Sequence, residues 1–181
     1  LEVKKVTGYH YSDSPDYSAK GQGFVKAKKA DKGAVLAVVT SKEGAGQRVY
    51  VSGNLLICYK PASKRKHVAP DVFVVKDIDP HPRENYILWE EGKGPDVAIE
   101  LTSESTREED LDDKYELYRD VLKVREYFLF DPRSEFLKPP LQGYRLVDGK
   151  YVRIEPVNGR LPSEELGLHP MRVAVQRNLD I

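Results

Sequence analysis

The stretch from residue 96 to residue 130 constrains the fold more than any other part of the chain. It opens with Asp96-Val97-Ala98-Ile99-Glu100-Leu101, apolar from Val97 onward except at Glu100. A half-exposed strand would alternate apolar and polar side chains, so a continuous apolar run fits a central strand covered on both faces. Next, Leu111, Tyr115, Tyr118 and Leu122 recur at spacings of four, three and four, one apolar stripe along a helix. Glu126-Tyr127-Phe128-Leu129-Phe130 is again apolar and stops at Asp131-Pro132. Strand, helix and strand in this order predict a βαβ unit with two parallel strands. Ser105-Thr106-Arg107-Glu108 has the pattern of a capping box at the helix start. The acids from Glu108 to Asp113 suit the positive end of the helix dipole, and Arg119 and Lys123 suit the other end.

Further strands are predicted around this unit. Pro70-Asp71 opens Val72-Phe73-Val74-Val75, and residues 48–59 are rich in Val, Leu, Ile and Tyr with a break at Gly53-Asn54. Tyr86 to Trp89 reads as a short strand or turn, and Asp148-Gly149 between two β-rich runs predicts a two-residue hairpin. Met171 to Val175 is a candidate last strand. Residues 1–46 are poorly patterned, and their apolar patch at 34–39 fits a strand or part of a helix equally well. They are taken as part of the same domain as residues 47–181. At 181 residues the chain suffices for one domain with a substantial core.

Charge excludes some functions. Lys plus Arg and Asp plus Glu both number 29, so binding to nucleic acid by bulk positive charge is ruled out and any anion site must come from local placement. No apolar run reaches the roughly 18 residues of a membrane helix, so no membrane partner is expected. The single Cys58 cannot form an internal disulfide and sits in an apolar stretch, where it reads as a small buried hydrophobe. One Cys with four scattered His makes a structural zinc site a poor fit. These features suggest a cytoplasmic setting.

Three residues carry candidate chemistry. Glu100 is a carboxylate inside an apolar strand, and burying it demands a cation, a metal or a proton; the plainer alternative is a strand-end Glu reaching solvent or a structural Arg. Asp71 opens a strand 29 positions before Glu100, a spacing that allows the two strands to be neighbours. Two carboxylates from adjacent strand ends make a hard-oxygen site suited to Mg²⁺ or Mn²⁺. Alone, Asp71 would pass for a turn-capping aspartate. Lys114 falls roughly 60° from Leu111 on the helical wheel, at the border of the buried stripe. It can either snorkel along the sheet or bring a cation toward the carboxylates. A basic loop, Lys60, Lys64, Arg65 and Lys66, precedes the Asp71 strand and offers a weak nucleic-acid contact, or is an ordinary solvated loop.

Together, the ordered series Ala69-Pro70-Asp71, Pro95-Asp96-Val97-Ala98-Ile99-Glu100-Leu101-Thr102-Ser103, Ser105-Thr106, Asp110, Lys114, Tyr118, Glu126-Tyr127 and Asp131-Pro132 resembles the Uma-two family of endonucleases, within the PD-(D/E)XK, restriction-endonuclease-like superfamily. The likeness runs on through Pro139 to Tyr144 and the Asp148-Gly149 hairpin to Leu168, about residues 47–170. It implies an α/β (α+β) fold, a mixed β-sheet core flanked by helices with a C-terminal β-hairpin. It further implies Mg²⁺ or Mn²⁺ held by Asp71, Glu100 and the main-chain carbonyl of Leu101. Asp71, Glu100 and Lys114 would be catalytic, with Thr102, Ser103 and Tyr118 around them. The superfamily's lysine stands two residues after the glutamate, where this chain has Thr102, so the resemblance assigns that role to Lys114. The implied activity is metal-dependent hydrolysis of DNA, with a homodimer as a further expectation. Such proteins usually begin with a helix that adds another acid. Residues 10–46 show no amphipathic helix of that kind, and Asp13, Asp16, Asp31 and Glu43 stand in Ser-, Pro-, Gly- and Lys-rich surroundings. This departure favours an alternative, a catalytically impaired module that binds nucleic acid or a protein partner. Hydrolysis of a small phosphoester would use the same residues.

Overall fold

Residues 97–101 form β8 (Val97–Leu101), with Val97, Ala98, Ile99 and Glu100 all buried. The computed structural model describes residues 22–30, 33–40, 48–61, 66–79, 81–158 and 161–171. On one side of β8 lies β6 (Val72–Lys76), antiparallel, with Val72 opposite Ile99 and Val74 opposite Val97. On the other lies β9 (Glu126–Phe130), parallel, with Glu100 opposite Leu129. The parallel pair is the one the βαβ reading predicts, and the β6 pairing brings Asp71 beside the end of β8. A six-stranded mixed sheet is completed by β3 (Val49–Ser52) beyond β6 and by β10 (Leu141–Val147) and β11 (Lys150–Arg153) beyond β9. Asp148 and Gly149 turn the β10–β11 hairpin, both with positive φ, at 48° and 76°. That is the type I′ geometry whose twist matches the strands.

Strand alternation divides the core between the two faces of the sheet. Phe73, Val75, Ala98, Tyr127 and Leu129 point to one face, where Tyr118, Leu122 and Val124 cover them. Val72, Val74, Val97, Ile99 and Phe128 point to the other and meet Ile154 and Leu161. By the same alternation Glu100 shares the first face, beneath the helical segment. The fold therefore aims this carboxylate at Lys114 and Tyr118, not at solvent.

The helical segment departs from a regular helix. It comprises α2 (Arg107–Leu111), α3 (Asp113–Glu116) and a π-helical turn at Leu117–Val121. Asp112 breaks the first junction with φ −113° and ψ −74°. The Leu122 N–H reaches back five residues to the Leu117 carbonyl at 3.0 Å. The expected capping box is absent: Thr106 is the N-cap and makes no side-chain cap bond. Its hydroxyl instead accepts from the Ser103 N–H at 3.1 Å, and Ser103 Oγ lies 3.2 Å from Ser105 Oγ. A local hydroxyl turn has won over the cap, as Ser and Thr side chains readily allow.

Smaller elements flank the sheet. β4 (Ile57–Cys58) pairs antiparallel with β5 (His67–Val68) and parallel with β7 (Tyr86–Ile87), which runs into the short α1 (Leu88–Glu91). Cys58 is half-buried there, less enclosed than its apolar neighbours suggest. β1 (Gln22–Ala30) and β2 (Gly33–Thr40) form an antiparallel hairpin, so the apolar patch at 34–39 is a strand. β12 (Leu161–Ser163) pairs with β13 (Leu168–Met171), which ends where the candidate last strand was expected to begin; residues 172–175 lie outside the described residues. At the start of β9 the fully buried Glu126 ties this region to the sheet. It accepts from Arg145 Nη2 at 2.9 Å, Ser163 Oγ at 2.5 Å and the Glu164 N–H at 3.0 Å. No helix of the described residues is long and apolar enough to cross a membrane.

Candidate active site

The acids of the site converge at the C-terminal end of β8. Asp71 stands immediately before β6 and is 5% exposed, and Glu100 is 1% exposed. Each bonds the other's strand: the Asp71 N–H donates to Glu100 Oε2 at 3.3 Å, and the Leu101 N–H donates to Asp71 Oδ2 at 2.8 Å. Above them, the helical segment supplies two groups. Lys114 Nζ lies 3.2 Å from Glu100 Oε2, and the Tyr118 hydroxyl donates to Glu100 Oε1 at 2.5 Å. The structure thus brings Asp71, Glu100, Lys114 and Tyr118 together.

Sequence reasoning missed Asp110. It passed for one of the helix-dipole acids, yet it is 1% exposed, and its Oδ1 accepts from Lys114 Nζ at 2.9 Å. The Tyr127 hydroxyl in turn donates to the Asp110 carbonyl at 2.9 Å. A signal was present: Asp110 precedes Lys114 by four residues, the spacing that sets an acid and a base on one helix face. Asp110 Oδ2 and Thr102 Oγ1 are buried without a hydrogen-bond partner, and among the described residues no other side-chain N or O is. A carboxylate oxygen and a hydroxyl are thus left open at this site.

Other predicted residues fall elsewhere. Thr102 is buried on the Glu100 face, and its hydroxyl makes no hydrogen bond to the carboxylates. Ser103 is exposed and bonds Ser105 and Thr106, so it does not support the carboxylates. Lys60 and Lys66 are exposed on either side of the loop, while Lys64 and Arg65 lie outside the described residues. So do Asp13, Asp16, Asp31 and Glu43. Lys66 and His67 line one wall of a cleft of about 830 Å³, and the helical segment with Lys114 lines the other.

Electrostatics follow from this enclosure. Burial, reinforced by the negative charges of Asp71 and Asp110, pushes Glu100 up to about 8; Lys114 and the Tyr118 hydroxyl pull the other way without cancelling it. Burial also raises Asp110, against the pull of Lys114 and a smaller one from the Thr106 hydroxyl. For Lys114, burial alone favours the neutral amine, but Glu100 and Asp110 outweigh it and keep the side chain a cation. The folded pKa of Glu100 lies above its unfolded value. The folded chain therefore holds a proton that the unfolded chain lacks between about 4.5 and 8. That contribution to stability is complete below the unfolded value and is lost as pH rises through about 8. In chelator, unfolding free energy is expected to fall by on the order of 4 kcal/mol between pH 5 and 8.5. Urea titrations of wild type and Glu100→Gln would check this, and an equal slope in both would refute it.

Lys114 contacts Glu100 and Asp110, and among the described residues no cation pairs with Asp71, so the cluster has room for added positive charge. All its donors are hard oxygens, the chemistry that Mg²⁺ and Mn²⁺ select. Among the described residues no three His, Cys, Asp or Glu side chains are placed to hold an ion alone. A dication would rest on Asp71 and Glu100, with main-chain oxygen and water completing its shell.

Comparison with known proteins bears on the family. A search of curated proteins finds no match. A similar solved structure is the crystal structure of a "putative nuclease belonging to DUF820" from Anabaena variabilis, 14% identical, with a TM-score of 0.46. The match covers 68% of this chain and 64% of that one, so this chain spans less than two thirds of its length. The model of the Uma2 family, described as "Putative restriction endonuclease", matches residues 28–176. That range takes in most of the chain, both carboxylate-bearing strand ends and Lys114, and the protein belongs to the Uma2 family.

Proposed function

We propose that the protein is a Mg²⁺- or Mn²⁺-dependent endonuclease of the PD-(D/E)XK type, hydrolysing DNA phosphodiester bonds. The observation that carries this is Lys114 held between Glu100 and Asp110, beside Asp71, at the end of the central parallel pair. Asp71, Glu100 and the Leu101 carbonyl would hold the cation, which supplies Lewis acidity and charge neutralisation to the phosphate. Lys114 carries a fixed positive charge to the same point. It is positioned to orient a water by hydrogen bonding or to offset charge developing on a phosphate oxygen. Tyr118 holds Glu100 Oε1, which leaves Oε2 toward Asp71 and Lys114. Asp110 acts through Lys114 by fixing its ammonium.

The test is cleavage of plasmid or single-stranded DNA with Mg²⁺ or Mn²⁺, by wild type, Asp71→Ala and Glu100→Ala. Cleavage that needs metal and disappears in both variants is expected. Equal inertness of all three would refute the enzyme reading. A second reading is favoured by the near-complete burial of Asp71, Glu100 and Asp110. Such enclosure suits a nuclease-fold module that binds nucleic acid or a protein partner without cutting. Under that reading wild type stays inert, and affinity for DNA either falls with salt, reporting phosphate contacts, or is absent.

A further inference from the structure

The cleft beside Lys114 has two unlike walls. Lys66, just before β5, and His67, its first residue, form one. On the opposite wall stand Glu109, Asp113, Glu116 and Asp120. Arg119 partly offsets the far end of that wall, pairing with Asp120 at 2.6 Å and Glu116 at 3.8 Å. Glu109 and Asp113 form no ion pair among the described residues. The cleft also has apolar lining: Leu56 is 38% exposed, Val121 is 46% exposed, and Tyr59 is half-buried. Large apolar side chains left open on a surface mark a contact site when they are gathered in one depression.

A duplex carries two rows of phosphates, and one straddling this cleft would set a row against each wall. The acidic wall repels the second row. A single strand has one row, which can follow Lys66 and the neighbouring exposed Lys60. Its unpaired bases can then cover Tyr59, Leu56 and Val121, the combination of cationic track and stacking platform that single-strand binding uses. The same path brings a phosphate toward Lys114, which lines the cleft and contacts Glu100.

We propose that this cleft receives a single strand of nucleic acid and rejects a duplex, the acidic helix wall setting the preference. The inference rests on the nucleic-acid reading above and names the form of substrate the site takes. It is tested by fluorescence anisotropy with a labelled 15-nucleotide single strand and the same sequence as a duplex, at low salt in chelator. Single-strand affinity at least tenfold above duplex affinity is expected. Tyr59→Ala should weaken single-strand binding about 5- to 100-fold, from the loss of one stacked base, while Tyr59→Phe restores it. Glu109→Gln with Asp113→Asn should narrow the gap by raising duplex affinity. Duplex binding as tight as single-strand binding, or no effect of Tyr59→Ala, overturns this proposal and leaves the nuclease reading standing. Failure of both probes to bind overturns the nucleic-acid reading and this proposal together.

Discussion

Lys114→Met is expected to abolish cleavage and to destabilise the fold by about 3–5 kcal/mol above pH 8, where Glu100 is ionised, the cost of leaving buried charge without its partner. Two carboxylates lose their cation at once, since Nζ contacts Glu100 and Asp110 at 3.2 and 2.9 Å. Both are already raised by burial, and Lys114 is the largest influence holding them down. Without it both rise further, which keeps Glu100 neutral to higher pH and favours the neutral form of Asp110 in the folded chain. The destabilisation should therefore shrink toward pH 5, where neither carboxyl needs a counter-charge. Activity should fall by at least the 10²–10³-fold that removal of one electrostatic stabiliser costs. Urea unfolding at pH 5 and 8.5 together with a cleavage assay separates the two effects. Unchanged stability at pH 8.5 would mean that the ion pair is not formed in solution.

The second large effect lies at the other end of the sheet. Glu126→Ala is expected to lower unfolding free energy by about 3 kcal/mol. The carboxylate accepts from Arg145, Ser163 and the Glu164 backbone, and its removal takes an acceptor from all three. Arg145 keeps partial solvent contact and a second partner in Glu164, which limits the loss. β12 and β13 should lose their anchor first. Hydrogen exchange is then expected to rise at residues 161–171 before the central strands, whereas a uniform rise would show that Glu126 serves the whole sheet. Cleavage per folded molecule should be unaffected, because the site sits at the opposite end of β8.

The positions of Asp71 and Glu100 were legible because strands announce themselves by alternation and by continuous apolar runs. Lys114 was legible because a lysine at the border of an apolar stripe stands out on a helical wheel. Asp110 was overshadowed by its company: an acid among acids at a helix start reads as a dipole partner, and its place in the motif series and its spacing to Lys114 did not by themselves give it a role. Ser103 and the capping box failed for a related reason. Three hydroxyls within four residues can satisfy one another, and their sequence does not say which arrangement wins. The π-helical turn left no trace, since the stripe from Leu111 to Leu122 fits a regular helix, yet Tyr118 is fully buried through the irregular one. The cleft was legible on its basic side alone. Its acidic wall comprises residues that read separately as an ordinary solvated helix face.

Tyr118 links the acid cluster to a group of rings. Its ring centre lies 5.0 Å from that of Tyr127, and Tyr115, Tyr144 and Tyr151 pack around Tyr127 at 6.1 to 6.5 Å. Chromophores held this close in a fixed asymmetric arrangement give a signed near-ultraviolet dichroism that vanishes when packing loosens. The hydroxyl on Glu100 places one of these chromophores in direct contact with the carboxylate. The molecule thus contains its own optical gauge: any ligand that draws Glu100 away from Tyr118 alters tyrosine dichroism, readable without label, cofactor or turnover.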